Sequence, residues 1–390
     1  MPSTHPVAVF GLSSEGYQIA STLARKGVPV VIIDENLGVG MELGAEDVAN
    51  YTTIQELHDG ETLLHLKPIE EVLGRAEYVF FTPKIRKAGE EARIEINLRL
   101  KEAARHLKEH STFINTIPVG MGGNYDITGL IERVSGLQMG EGFTYIYSPL
   151  HPCSKTPITI GSNRLTLAKG LVEVLKMAEV KPLPPLPLSA SELVHAKHVL
   201  SHFSNLTTHL ELLKKVGGLS DRVVVKKPIG YRDLYLDDLM AYAFDLNMLS
   251  NTFSSGEPLL YFATGMLKGM GGYIKYLFDE VKRLMKTHEL KASKTRIIAA
   301  WSIDQYEIRG ERLSARESMV EKFKDYVSDT IAVTTTKDWS ATLQLTGRTN
   351  IMVACSQRDY EMFSSTLPKE KGVARCFLVK ANLLVEWMEW

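Results

Sequence analysis

The sequence predicts an α/β protein with an N-terminal Rossmann-like, doubly wound parallel sheet, a central helical domain built on one long helix, and a smaller C-terminal α/β domain. Three observations carry this expectation. Residues 7–35, VAVFGLSSEGYQIASTLARKGVPVVIIDE, read as strand, glycine turn, helix and second strand closed by an acid. Short apolar runs then alternate with helical patterns as far as Met177. After the proline-rich connector Lys181-Pro-Leu-Pro-Pro-Leu-Pro-Leu188 the chain turns helical, and strand and helix alternate again from Lys294. The implied domains are 1–187, 188–290 and 291–390.

The opening unit is the most specific. Val7 to Phe10 is an apolar run typical of a buried parallel strand, and Tyr17 to Lys26 is a helix ended by Gly27. Val28 to Ile33 is a second strand that stops on Asp34. A helix N-terminus at the end of a strand offers unpaired N–H groups to a pyrophosphate, and an acid after the second strand takes ribose hydroxyls. Gly11, Leu12, Ser13, Ser14, Glu15, Gly16 and Asp34 are therefore candidate cofactor residues. Asp34 with Glu35 favours NAD, because a 2′-phosphate would meet their charge. Ser13 stands where the usual middle glycine lets the backbone approach the pyrophosphate, so a Rossmann-like domain that keeps its shape without the ligand is the competing reading.

Further elements follow in order. Strands are expected at Tyr78–Thr82, Thr112–Thr116, Phe143–Tyr147 and Thr156–Ile160, and helices at Ala88–His110, Asp126–Val134 and Leu165–Met177. Ser189–Val216 reads as one long helix, with Ser189 and Glu192 as a capping box and Gly217-Gly218 as its stop. Helices are expected over Leu234–Phe253 and Gly272–His288. The last domain shows the strand patterns RIIAAW, TIAVTT, NIMVACS and VARCFLVK, separated by the helical patterns SARESMVEKFKDYVSD and RDYEMFSS.

Composition narrows the function classes. The 390 residues are 44% hydrophobic and 23% charged, as in ordinary globular proteins. A net charge of −1 gives no basic footprint for nucleic acid and no pull toward anionic membranes. No apolar run reaches the roughly 18 residues of a membrane span, and the first strand begins almost at the start. A soluble cytoplasmic protein acting on a small-molecule substrate is the expectation. Three unpaired-looking cysteines, Cys153, Cys355 and Cys376, argue against a disulfide framework.

Several segments resemble the UDP-glucose/GDP-mannose dehydrogenase family, within the 6-phosphogluconate dehydrogenase-like superfamily. Phe80-Phe-Thr-Pro83 sits where that family has Val-Pro-Thr-Pro, and Asn115-Thr-Ile-Pro-Val-Gly120 resembles its Ser-Thr-Val-Pro-x-Gly. GFTYIYSPLHP (142–152) resembles its strand ending in Ser-Pro-Glu, and SASELVHAKHVL its central helix. Gly269-Met-Gly-Gly272 resembles its Gly-Phe-Gly-Gly loop, and Arg312-Leu-Ser-Ala-Arg-Glu-Ser318 its Arg-Glu-Ser-Pro. The resemblance implies NAD chemistry, with Thr82, Pro83 and Thr116 at the cofactor. It also implies a homodimer through the central helix.

The departures from the family are chemical. Its cysteine nucleophile falls on Ile274, which cannot form a thiohemiacetal, so oxidation to a uronate is excluded by that route. Its glutamate falls on Leu150, its lysine on His195 and its asparagine on Val199; Thr116 alone is retained. A single hydride transfer on a hydroxy or oxo substrate, with nucleotide-bearing substrates among the candidates, is the reaction this leaves.

His195, His198, His202 and His209 lie on one helix, within an arc of roughly 60° at about 100° per residue. Three roles are open for them. His195, with His151 and Thr116, is a candidate for the acid/base role of the family lysine. His195, His198 and His202 have spacing suited to a transition metal, with His151 and Glu192 as further ligands. The stripe also suits a dimer seam. Lys197, Lys275 and Cys153 read as a solvated lysine, an exposed lysine and a small buried residue. A second resemblance is to the methanogen hydrogenase that uses an iron-guanylylpyridinol cofactor, through Asn115-Thr-Ile-Pro118 and His151-Pro152. Asn115 replaces its iron-binding cysteine, so that cofactor could not be held in the same way. A non-catalytic dinucleotide-binding or interaction protein descended from a dehydrogenase is the remaining alternative.

Overall fold

Both faces of the N-terminal sheet are covered, and this explains why its strands are continuously apolar. In the computed structural model, described over residues 6–59, 65–87, 89–150, 157–215, 233–333, 348–366 and 375–389, β1 (Val7–Phe10) is buried at every position. Val7 and Val9 point into one core cluster and Ala8 and Phe10 into another, on opposite faces of the sheet.

Five strands form the parallel centre: β2 (Val30–Asp34), β1, β5 (Tyr78–Phe81), β6 (Ser111–Asn115) and β7 (Phe143–Tyr147), in that spatial order. Crossover helices α1 (Ser14–Arg25), α5 (Gly89–Arg105) and α6 (Gly123–Ser135) join them. One face carries an aromatic ladder, with ring centroids 5.5 Å apart for Phe10–Phe81, 5.4 Å for Phe81–Phe113 and 6.3 Å for Phe113–Tyr145.

The edges were less legible in the sequence. β3 (Val39–Leu43) and β4 (Leu66–Pro68) extend the sheet antiparallel beyond β2, and β8 (Gly161–Ser162) pairs antiparallel with β7. Short helices α2 (Ala45–Asn50), α3 (Ile54–Asp59) and α4 (Ile69–Arg75) lie between β3 and β5 in the chain. The strand expected over Thr156–Ile160 is found instead at Gly161–Ser162, and Thr156 lies outside the described residues. The helix α7 (Lys169–Met177) starts four residues later than expected.

The long helix α8 runs over Leu188–Lys215, close to expectation. The segment expected as one helix over Leu234–Phe253 is two, Leu236–Met240 and Ala243–Ser250, interrupted by a turn at Ala241-Tyr242. The following helix is longer than expected, Pro258–Thr287, because Pro258 is compatible with a first helical turn. Gly269-Met-Gly-Gly272 is therefore helix interior rather than a loop. A Cβ on Gly269 would stand 2.8 Å from Thr207 Cγ2, so this glycine permits a close approach of two helices.

The chain divides into two compact units. The first contains residues 1–200, 244–260 and 304–310 and holds the eight-stranded sheet. The second contains residues 201–243, 261–303 and 311–390, with a five-stranded sheet in the order β10 (Thr330–Val333), β9 (Thr295–Ala300), β11 (Thr349–Ala354), β12 (Cys376–Lys380) and β13 (Trp387–Glu389). All neighbours in it are parallel except β12 and β13. The helices Glu311–Lys324 and Gln357–Thr366 pack on these strands. Trp301 is fully buried in this second unit and donates its indole N–H to Asp237 Oδ1 at 2.7 Å. Burial pushes the Cys376 thiol up to about 12, as suits a small core residue rather than a nucleophile. Among the described residues no helix is long and apolar enough to cross a membrane.

Candidate functional site

The site lies in the first unit, at the carboxyl ends of β1, β5, β6 and β7. Ser13 has extended backbone and caps α1, its Oγ accepting the Gly16 N–H at 3.1 Å. Serine replaces the middle glycine because it completes the helix start. Gly11 has φ +123°, and a Cβ there would stand 2.4 Å from the backbone of Thr82 and Pro83. A Cβ on Gly16 would stand 2.5 Å from Thr82 Oγ1. The expected cofactor residues of the turn and of Thr82-Pro83 are thus brought together. Thr82 Oγ1 lies 3.3 Å from the carbonyls of both Phe10 and Gly11.

Two donors of the turn are taken up by the chain itself. The Ser14 N–H donates to the Tyr306 carbonyl at 2.8 Å, and the Leu12 N–H to Glu35 Oε2 at 2.8 Å. Glu15 Oε2 accepts the Ile308 N–H at 2.9 Å, while Glu15 Oε1 and Ser14 Oγ are buried without a partner among the described residues. Burial pushes the Glu15 carboxyl above the usual range, and the nearby Arg309 charge only partly opposes this. Asp34 is buried at the end of β2. Its Oδ1 accepts the N–H groups of Asn36 and Leu37 at 2.8 and 3.3 Å, so it also shapes the turn into β3.

Thr116 is buried and donates its hydroxyl to the Phe81 carbonyl at 2.7 Å. It ties β6 to β5, which leaves only its lone pairs for any ligand. Asn115 is held by Ile117 and by the Tyr145 hydroxyl, 3.1 Å away. Tyr145 in turn donates to Asn124 Oδ1 at 2.7 Å.

Glu192 corrects an expectation. It does not complete a capping box with Ser189, and among the described residues it belongs to no group that could hold a metal ion. Its Oε2 accepts the Gly122 N–H at 2.8 Å, and its Oε1 accepts both the backbone and side-chain N–H of Asn124 at 2.9 Å. The carboxylate thus caps α6 from α8, supplying acceptors to N–H groups that Gly122, with no side chain, cannot satisfy.

His195 is buried and at the centre of an ionic network. Its Nε2 lies 3.0 Å from Asp245 Oδ2. Because a carboxylate can only accept, Nε2 carries the proton of this bond, and Nδ1 is left buried with no partner among the described residues. Asp245 Oδ1 accepts Arg309 Nε at 2.9 Å, and Arg309 also donates to the Leu150 carbonyl at 2.6 Å. Burial alone would raise the Asp245 carboxyl; Arg309, and after it His195, outweigh this and hold it below the usual range. Tyr147 meets the His195 ring edge-on at 6.3 Å.

The rest of the histidine stripe does not converge. His198 is exposed, and partial burial followed by the His195 charge lowers its pKa. In the second unit His202 packs edge-on against Phe203 and Tyr242, with centroids 5.2 and 5.1 Å away. Burial lowers the pKa of His209. Among the described residues no three His, Cys, Asp or Glu side chains form a group that could hold a metal ion, so the expected set His195, His198 and His202 is not assembled. His151 and Cys153 lie outside the described residues.

Neither a protein-family model nor a curated protein matches the sequence. Solved structures do match. The UDP-D-ManNAc dehydrogenase of Pyrococcus horikoshii aligns over 90% of this chain and 88% of its own, with TM-score 0.57 and 14% identity. A UDP-glucose dehydrogenase from Pyrobaculum islandicum aligns over 91% and 94%, with TM-score 0.56 and 12% identity. The UDP-N-acetyl-mannosamine dehydrogenase of Staphylococcus aureus aligns over 90% and 88%, with TM-score 0.57 and 13% identity. The fold is that of the nucleotide-sugar dehydrogenases.

On this dehydrogenase fold, three of the four positions read from the sequence as substituted are apolar, His195 being the fourth. Leu150 and Val199 are buried, and Ile274 lies inside the Pro258–Thr287 helix. Arg312 pairs with Asp237 at 2.8 Å in the second unit. Asp245 and Arg309 were missed by the sequence reading, and Glu35 was read only as a charge. A lone acid inside the mainly apolar AFDLNMLS helix was the one signal available for Asp245.

A capped helix at the end of β1, a Ser14 hydroxyl buried without a partner among the described residues, and Asp34 at the end of β2 are groups whose chemistry fits a dinucleotide. One of the turn's anion donors, the Leu12 N–H, is held by the chain's own Glu35.

Proposed function

We propose that this chain is an oxidoreductase that transfers a single hydride between a nicotinamide dinucleotide and a hydroxy or oxo group of a small substrate, with nucleotide-bearing substrates among the candidates. The observation that carries the reading is His195 Nδ1, buried and without a partner among the described residues, on a ring fixed through Nε2 by Asp245. The residues from Gly11 to Gly16, with Asp34, Thr82 and Pro83, would hold the dinucleotide, and Thr116 braces β5 and β6 beside it. When bound, the nicotinamide supplies or accepts the hydride. The chain's own part is the proton. As the substrate hydroxyl is oxidised, His195 Nδ1 takes its proton; in the reverse direction it returns it. Asp245 fixes the tautomer and stabilises the imidazolium, and Arg309 keeps Asp245 ionised.

The test is hydride transfer, followed by nicotinamide absorbance, over a panel of hydroxy acids, polyols and nucleotide sugars. In His195→Ala the rate should fall by about 10²–10⁴-fold with dinucleotide binding retained. Unchanged turnover in that variant would remove the proton role from His195.

A second reading, a non-catalytic protein on the same scaffold, is favoured by the Glu35 carboxylate on the Leu12 N–H. It expects no turnover with any member of the panel. In either case we propose a homodimer through α8, supported by the exposed apolar side chains of Leu193 (61%) and Val194 (40%). Light scattering that returns only the monomer mass would reject it.

A further inference from the structure

The sheet order β2-β1-β5 places the topological switch point between β1 and β5, the crevice where α/β sheets receive ligands. Glu35 bridges that crevice. Its Oε2 accepts the Leu12 N–H at 2.8 Å and its Oε1 the Lys84 N–H at 3.1 Å. Leu12 belongs to the glycine turn after β1, and Lys84 follows Thr82-Pro83 after β5. One carboxylate thus ties together the two turns across which a dinucleotide would lie. It is 3% exposed.

Neighbouring groups hold Glu35 in this position. Arg99 donates to the Glu35 carbonyl at 2.6 Å and to Asn36 Oδ1 at 2.7 Å. The segment 304–310 braces the same turn. Its Tyr306 carbonyl takes the Ser14 N–H, and Arg86 donates to the carbonyls of Glu307 and Gln305 at 2.8 and 2.7 Å.

We propose that Glu35 is an internal occupant of the pyrophosphate position and sets the affinity of this crevice for diphosphate-bearing ligands; the proposal rests on the nicotinamide reading above. A diphosphate and the Glu35 carboxylate need the same N–H donor, and their charges repel. A diphosphate ligand enters only when Glu35 leaves both N–H groups. A ligand without phosphate, such as adenosine, meets no such competition. Glu35 is therefore a specificity-determining residue that separates dinucleotide from nucleoside.

The test is calorimetric titration of NAD and of adenosine into the intact chain, Glu35→Gln and Glu35→Ala, with thermal melts of each. Gln keeps the shape and removes the charge, so it decides alone if the Ala variant fails to fold. The expected result is NAD binding about tenfold or more tighter in the variant, with adenosine unchanged. NAD binding that is equal or weaker in the variants overturns the proposal and leaves the nicotinamide reading standing. An equal gain for NAD and adenosine also overturns it, since that reports a loosened crevice rather than a relieved competition. No NAD binding by any of the three proteins overturns the nicotinamide reading, and this proposal with it.

Discussion

Arg309 Nε meets Asp245 Oδ1 at 2.9 Å where their side chains are 5% and 0% exposed, although 64 residues separate them. A pair so withdrawn from water is held by geometry, and each charge depends on the other. Arg309→Ala would leave Asp245 buried without its main compensating charge and should cost about 3–5 kcal/mol. Urea unfolding monitored by circular dichroism measures this. A loss below about 1 kcal/mol would mean that water reaches the carboxylate.

Glu15 gives the opposite pH signature. Its folded pKa is raised, so the protonated carboxyl fits the fold better than the ionised one. Its contribution is most favourable below the ordinary Glu range and is lost as pH rises through the raised folded value. Glu15→Gln should therefore raise Tm at pH 7 to 8, and the gain should vanish below about pH 4. A gain that is the same at every pH would assign the effect to something other than ionisation.

Acid should act on Asp245 in the reverse sense. Its pKa is lowered in the fold, so its stabilisation is complete above the ordinary Asp range and is lost as pH falls through the folded value. The penalty for Asp245→Asn should be large at pH 7 and shrink progressively below about pH 4, in urea midpoints taken across that range. A penalty independent of pH would contradict the charged pair.

Glu192→Ala removes the acceptor for three N–H groups of Gly122 and Asn124. The expected loss is about 2–4 kcal/mol, with Glu192→Gln intermediate because one acceptor oxygen remains. Equal losses for the two variants would show that packing, not hydrogen bonding, matters at this site.

Gly11→Ala places a methyl against the Thr82 and Pro83 backbone at a left-handed φ. It should cost about 2 kcal/mol or more in the same urea assay. A neutral result would show that the turn can open there.

What was legible in the sequence follows from burial. VAVF and YVFF are apolar throughout because both faces of their sheet are covered, so they stand out as strands. LKP is an edge strand with exposed positions, and VGMEL beside it is interrupted by a glycine and a glutamate, so neither carried such a signal. Glu192 looked like a local cap because the pattern fits, yet its partners are 68 and 70 residues away. His195 was readable as a candidate, but Asp245 beside it is 50 residues distant and no spacing rule reaches it. Glu35 was read only as a charge favouring NAD; that it faces Leu12 becomes apparent when β1 and β2 are paired.

Trp301 has an optical consequence. Of the described tryptophans, Trp301 and Trp387 both fall within the second unit, and Trp301 is fully buried there. The emission of the Trp301 indole therefore records the melting of that unit, while the amide bands in the far ultraviolet record both. Superimposable melting curves from the two signals would mark a single cooperative transition, and separated curves would time the loss of each unit in turn.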